Sequence, residues 1–121
     1  MGLLNLFRPK WKHSNADVRL EALGELSDPQ ALSEVIVSDS EWFVRHEAFA
    51  KLRSLNPEQA HYARLMRESN DEEIRRKAVK IMTDVTELER VAKEDKYLYV
   101  RDAAEHRLDE LRTGVWDKLA Q

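Results

Sequence analysis

Four segments of the chain repeat one pattern: VRLEALGEL from Val18, VRHEAFAKL from Val44, IRRKAVKIM from Ile74 and VRDAAEHRL from Val100. Each opens on a β-branched residue followed by Arg. Each then carries Ala four positions later (Ala22, Ala48, Ala78, Ala104) and an apolar residue eight positions later (Leu26, Leu52, Met82, Leu108). Positions 0, 4 and 8 fall on one face of an α-helix, so every segment predicts a helix with an apolar stripe built around a small residue. A stripe on so short a helix cannot bury itself, and starts 26, 30 and 26 residues apart predict units that stack and share a core.

A second helical segment precedes each of the last three: PQALSEVIV from Pro29, PEQAHYARLM from Pro57 and VTELERVAKE from Val85. Their apolar positions keep one register against a closing polar residue: Leu32 and Val35 before Asp39, Tyr62 and Leu65 before Ser69, Leu88 and Val91 before Asp95. The unit is a helix pair, A then B. Asp28-Pro29 and Asn56-Pro57 predict helix starts, with a side-chain acceptor at the N-cap and proline at the first helical position. Asn70 followed by Glu73 predicts a capping box for the third B helix.

The fold class that follows is all-α, a short α-solenoid of about four helix pairs in a single domain over residues 1–121. Repeats are expected over 14–112, with half-repeat caps at both ends to cover the terminal stripes: an N-terminal helix in 1–13 that uses Leu6 and Trp11, and a C-terminal helix in 113–121 that uses Val115, Trp116 and Leu119. Composition agrees, since 36% charged and 42% hydrophobic residues with three Gly and three Pro describe a solvated helical globule and not a disordered chain.

The V-R-x-x-A-x-x-x-L pattern, with Asp six residues before Arg at Asp39/Arg45 and Asp95/Arg101, resembles HEAT repeats. The likeness is greatest to the short HEAT-like repeats of bacterial and archaeal proteins and of the phycobilin lyase group. The first and third units depart from it, with His13 before Arg19 and Ser69 before Arg75. The resemblance runs from about Lys12 to Arg112 and implies a right-handed solenoid. It also implies that Asp39, Arg45, Asp95 and Arg101 form a structural ladder of charge-assisted bonds between stacked repeats. For Arg19 and Arg75 it leaves the partner open, with Asp17 and Asp71 nearby in sequence.

Several chemistries are excluded or disfavoured. The chain has no cysteine, which removes disulfides, thiolate metal sites and thiol nucleophiles. No G-x-S-x-G elbow or glycine-rich phosphate loop is present. The dyad His46-Glu47 in VRHEA is similar to the motif of deoxyhypusine hydroxylase, a HEAT-repeat di-iron enzyme. Two irons need several such dyads, however, and the equivalent positions here are Leu20-Glu21, Arg76-Lys77 and Asp102-Ala103. A second zinc-ligating His would fall at position 50, which is Ala. The expectation is therefore no enzyme, no metal and no cofactor, with a lyase or metal-hydroxylase relative as the alternative.

The outward row of the B helices is the candidate partner surface: Leu20 and Glu21, His46 and Glu47, Arg76, Lys77 and Lys80, and His106, together with Gly24, Ala50, Asp102 and Ala103. The function expected is a protein-interaction or scaffold module that presents a concave helical surface to another protein. Residues 14–43 hold seven Asp or Glu against one Arg, and the net charge of the chain is −3, so nucleic acid is not the expected partner. The competing nucleic-acid reading rests on Arg75, Arg76, Lys77 and Lys80. The aromatics Trp42, Phe43, Tyr97 and Tyr99 are expected to pack over the turns that enter the second and fourth B helices, with an exposed contact patch as the alternative. No apolar run is long enough for a membrane span and no secretory signal is read at the N-terminus, which points to a cytoplasmic protein.

Overall fold

The computed structural model describes residues 9–114. Among them are seven α-helices and no strand, so the chain is all-α. Contacts divide it into two compact units, one ending at Pro57 and the other starting at Glu58.

The first unit holds a 3-10 turn at Lys10–Lys12, then α1 (Ala16–Ala22), α2 (Pro29–Ser38) and α3 (Trp42–Ser54). Helix α2 packs along α3, and α1 packs on α3 and on the 3-10 turn. The second unit holds α4 (Gln59–Glu68), α5 (Glu72–Ile81), α6 (Val85–Glu94) and α7 (Leu98–Thr113). Here α6 packs along α7, α5 against α7, and α4 against α5. The expected caps at residues 1–8 and 115–121, including Leu6, Val115, Trp116 and Leu119, lie outside the described residues. Trp11 belongs to the 3-10 turn and not to an α-helix, because Pro9 precedes it and the turn closes at once with the His13 N–H on the Lys10 carbonyl at 3.1 Å.

The core follows the repeat register. Val44, Ala48 and Leu52 are fully buried, as are Ile74, Ala78 and Met82; Val100, Ala104 and Leu108 are at most 4% exposed. The A-helix register is buried too: Leu32, Val35, Tyr62, Leu65, Leu88 and Val91. Each Leu, Ile or Val so placed contributes roughly 1.5–3 kcal/mol of apolar transfer. Buried Ala at the central position lets paired helices approach closely.

The first B segment departs from this register. Helix α1 stops at Ala22, and the chain tightens into successive turns in which the N–H groups of Leu23, Gly24, Glu25 and Leu26 each bond the carbonyl three residues back. That winding carries Leu23 inward, where it is 2% exposed, and leaves Val18, Ala22 and Leu26 half-buried. Ala22 is thus not a core residue like its three counterparts. Val18 and Ala22 line a recess of about 290 Å3 with Lys10, Glu21 and Glu25.

Two helix starts also differ from expectation. Asp28 caps α2 as predicted, its side chain accepting the Gln30 N–H at 3.0 Å. Asn56, by contrast, does not cap α4. It takes a left-handed conformation with φ 49° just after α3, and its N–H bonds the Arg53 carbonyl at 3.1 Å. Asn tolerates that region better than other residues with a side chain, so it ends a helix here instead of starting one. Helix α5 is capped by Asp71, which accepts the N–H groups of Glu73 and Ile74 at 3.0 and 3.2 Å; Asn70 instead accepts the Lys96 ammonium at 2.7 Å. At Asn56 the conformation predicts opposite signs for two substitutions. Asn56→Ala should lower stability by about 1 kcal/mol and Asn56→Gly should leave it unchanged or slightly raised, read as the midpoint of thermal unfolding.

Candidate functional site

The A-to-B turns repeat one set of hydrogen bonds in all four units. The residue at the turn, His13, Asp39, Ser69 or Asp95, accepts the N–H two residues on, from Asn15, Glu41, Asp71 or Tyr97, at 2.9, 3.0, 3.1 and 3.0 Å. The Arg six residues later donates Nη1 to that same residue's carbonyl: Arg19 to His13 at 2.9 Å, Arg45 to Asp39 at 2.9 Å, Arg75 to Ser69 at 2.9 Å and Arg101 to Asp95 at 2.6 Å. A backbone acceptor does not depend on the side chain. His13 and Ser69 therefore serve as well as Asp, and what reads as a departure in sequence is none in structure.

The Asp carboxylates are paired elsewhere. Arg19 engages Asp39 through two parallel bonds, Nε to Oδ2 at 2.8 Å and Nη2 to Oδ1 at 3.1 Å. Arg75 donates Nη2 to the Asp95 carboxylate. Arg19–Asp39 and Arg75–Asp95 are thus two charged rungs among the described residues, each spanning twenty residues, and Nη1 of Arg45 and of Arg101 is on the carbonyl of Asp39 and of Asp95. Asp71 accepts the Glu73 N–H at 3.0 Å as the cap of α5, and Asp17 donates its own N–H to Asn15 at 2.8 Å. The signal was present in sequence as the shared interval between each Arg and the next A-helix closing residue.

The second rung is the more enclosed. The side chains of Arg75 and Asp95 are 7% and 1% exposed, against 13% and 5% for Arg19 and Asp39. Arg75 therefore leaves the basic patch on α5, which reduces to Arg76, Lys77 and Lys80. A further arginine, Arg107, is buried on α7 and donates Nε to the Met82 carbonyl at 2.9 Å. On α6, Arg90 donates to the Glu87 carboxylate at 2.5 Å, and that hydrogen bond raises the guanidinium pKa above its ordinary value.

Of the outward row, the first unit brings Leu20, Glu21 and Glu47 together. With Leu23, Gly24 and Lys51 they line a recess of about 300 Å3 between α1 and α3. Lys51, which the sequence did not single out, reaches across to the Gly24 carbonyl at 3.1 Å. Glu21 and Glu47 are exposed and make no ion pair among the described residues. His46 is not a plain solvated residue, because it is half-buried with its ring edge-on to Trp42 at 6.2 Å.

In the second unit the row carries Arg76, Lys77 and Lys80 on α5, and Asp102, Ala103 and His106 on α7. Arg76 and Lys77 are half-buried and Lys80 is exposed. His106 points to solvent, 80% exposed, with Nδ1 at 3.1 Å from Glu110.

The turn aromatics split. Phe43 and Tyr97 are half-buried, and the Tyr97 hydroxyl donates to the Asn70 carbonyl at 3.0 Å. Trp42 and Tyr99 remain 66% and 63% exposed and do not pack over the turns. Trp42 lies two positions before core residue Val44, about 200° around the helix, and Tyr99 one position before Val100, about 100° around, so neither faces the core.

Among the described residues, no group of three or more His, Asp or Glu is placed to hold a metal ion, and no helix is long and apolar enough to cross a membrane. Comparison with family models, curated proteins and solved structures gives no match.

Proposed function

We propose that the chain is a protein-interaction module, a short HEAT-like α-solenoid of the cytoplasm that presents the outward row of its B helices to another protein. The identical hydrogen bonds of the four A-to-B turns support a repeat of this kind. So does a register in which the inward positions of three B helices are uniformly apolar and buried while the outward positions vary from acidic to basic.

The observation that carries the reading is Trp42. A large aromatic side chain left two-thirds exposed on a rigid helix, braced edge-on by Phe43 at 6.0 Å and His46 at 6.2 Å, is the kind of residue that anchors protein interfaces. It is held in place before any partner arrives, so little side-chain entropy is lost on docking.

The test is chemical cross-linking and affinity capture from the native host with three baits: wild type, Trp42→Ala and, as a control away from the row, Arg64→Ala. A partner retained by wild type and Arg64→Ala but lost by Trp42→Ala supports the module. Identical capture by all three baits would sink it. Trp42 contributes little to the core, so Trp42→Ala should change folding stability by less than about 0.5 kcal/mol, checked by thermal unfolding of the same preparations.

A further inference from the structure

We infer that one partner of the outward row is a second copy of this chain, docked by charge: the acidic recess between α1 and α3 of one copy receives the basic row of α5 from another. This rests on the outward row being a docking surface, and it names an occupant for part of it.

The two faces are complementary in sign and in form. In the recess, Glu21 and Glu47 stand on neighbouring helices and are exposed and unpaired, above a floor of Leu20 and Leu23. A cavity of about 300 Å3 with an apolar floor and two carboxylates at the rim suits a long basic side chain, whose methylene stem needs cover and whose head needs anions. The one cation at the recess, Lys51, has its ammonium drawn to the Gly24 carbonyl. On α5, Arg76 and Lys80 are four residues apart and so stand one turn from each other on the same face, and neither makes an ion pair among the described residues. Lys77 adds a third positive charge beside them.

Burial separates this row from the other cations of α5. Arg75 is buried and donates to Asp95, while Arg76 is half-buried, Lys80 is exposed and neither makes an ion pair among the described residues. The net charge of −3 does not oppose such a contact, because ionic screening over about 8 Å at physiological salt leaves local patches, and not the whole-molecule charge, to govern close approach. An interface between the acidic face of one copy and the basic face of the next is heterologous. Its growth is set by whether the rotation closes.

The experiment is analytical ultracentrifugation of purified full-length protein over a concentration series, at about 50 mM and about 500 mM NaCl. Wild type should self-associate at low salt and dissociate at high salt. The acidic-face variant Glu21→Lys/Glu47→Lys and the basic-row variant Arg76→Glu/Lys80→Glu should each be monomeric at both. Mixed in equal amounts, the two should assemble with each other, since the native basic row of the first meets the native recess of the second and their reversed faces are again opposite in charge. A single variant carrying all four reversals should self-associate again, because opposite charges then face each other once more.

Glu21, Glu47 and Lys80 are exposed and Arg76 is half-buried, and circular dichroism of each variant checks that the fold is kept. A wild-type chain that stays monomeric at low salt overturns the inference. So does an assembly indifferent to the reversals, or a monomer that instead takes up a lysine-rich peptide through Glu21 and Glu47. None of those results touches the capture experiment with Trp42→Ala, so failure here and failure of the interaction module are told apart.

Discussion

Replacing Ala48 by Asp is expected to abolish the cooperative unfolding transition of the first unit. Ala48 is fully buried where α2 packs along α3, with Val44 and Leu52 of the same stripe also at zero exposure. The new carboxylate would lie in that interface with no cation to meet it. An unpaired charge in an apolar interior costs far more than a domain of this size can spare, since native stabilities are about 5–15 kcal/mol in all and even protonating the group leaves a buried polar atom unsatisfied. Far-UV circular dichroism on heating should show a broad, shifted or absent transition. An ordinary melting curve would mean that position four of the repeat does not face the core. Ala22→Asp is the matched control, because Ala22 is half-buried beside an open recess and should tolerate the change with a much smaller loss.

Asp95→Asn should produce the second largest effect, about 3–5 kcal/mol of destabilisation in the second unit, measured by urea unfolding. The substitution keeps an acceptor for the Tyr97 N–H at 3.0 Å, so the turn itself survives and only the charge is lost. What remains is the Arg75 guanidinium, 7% exposed, with two backbone carbonyls for company and Nε already without a partner among buried side-chain atoms of the described residues. A buried cation deprived of its counter-ion is the costly case. Asp39→Asn should cost less, because Arg19 is nearer to solvent at 13% exposure and water can take over part of the carboxylate's role. Equal losses at the two rungs would show that burial does not set their difference. The double change Arg75→Met/Asp95→Leu should recover much of the loss, since removing both charges also removes the desolvation cost.

The helices and most of the core were legible in the sequence because they depend on a local periodicity. Val44, Ala48 and Leu52 lie where spacing by fours puts them, and the same holds for Ile74, Ala78 and Met82. Helix ends were less legible, because several residues in a row can serve as the cap and only the backbone path selects one. Asn56 and Asn70 are competent caps by type, but Asn56 was used to finish α3, and Asp71 took the place expected of Asn70. The partners of the ladder residues were not legible for a related reason. The sequence left open what Arg19 and Arg75 bond, and only the path of the turns brings the Asp39 carboxylate to Arg19 while the Asp39 carbonyl takes Nη1 of Arg45.

The candidate surface was legible as a row but not as a shape. Spacing alone put Leu20, Glu21 and Glu47 outward; it took the packing of α1 on α3 to make them the walls of one recess and to bring Lys51 into it. Trp42 stands at a helix entry, where an aromatic can pack over the turn or lie exposed, and its angle from Val44 around the helix is what leaves it exposed.

By itself the sequence determined that this chain is helical, where most helices run and which stripe each buries, because a 3.6-residue period is written in the order of residues. Tertiary structure alone decided which of several equivalent partners each polar group takes. A guanidinium has five donors and many acceptors within reach. Only the fixed positions of the turns, brought together by burial of Ala48, Ala78 and Ala104, single out Asp39 for Arg19 and Asp95 for Arg75.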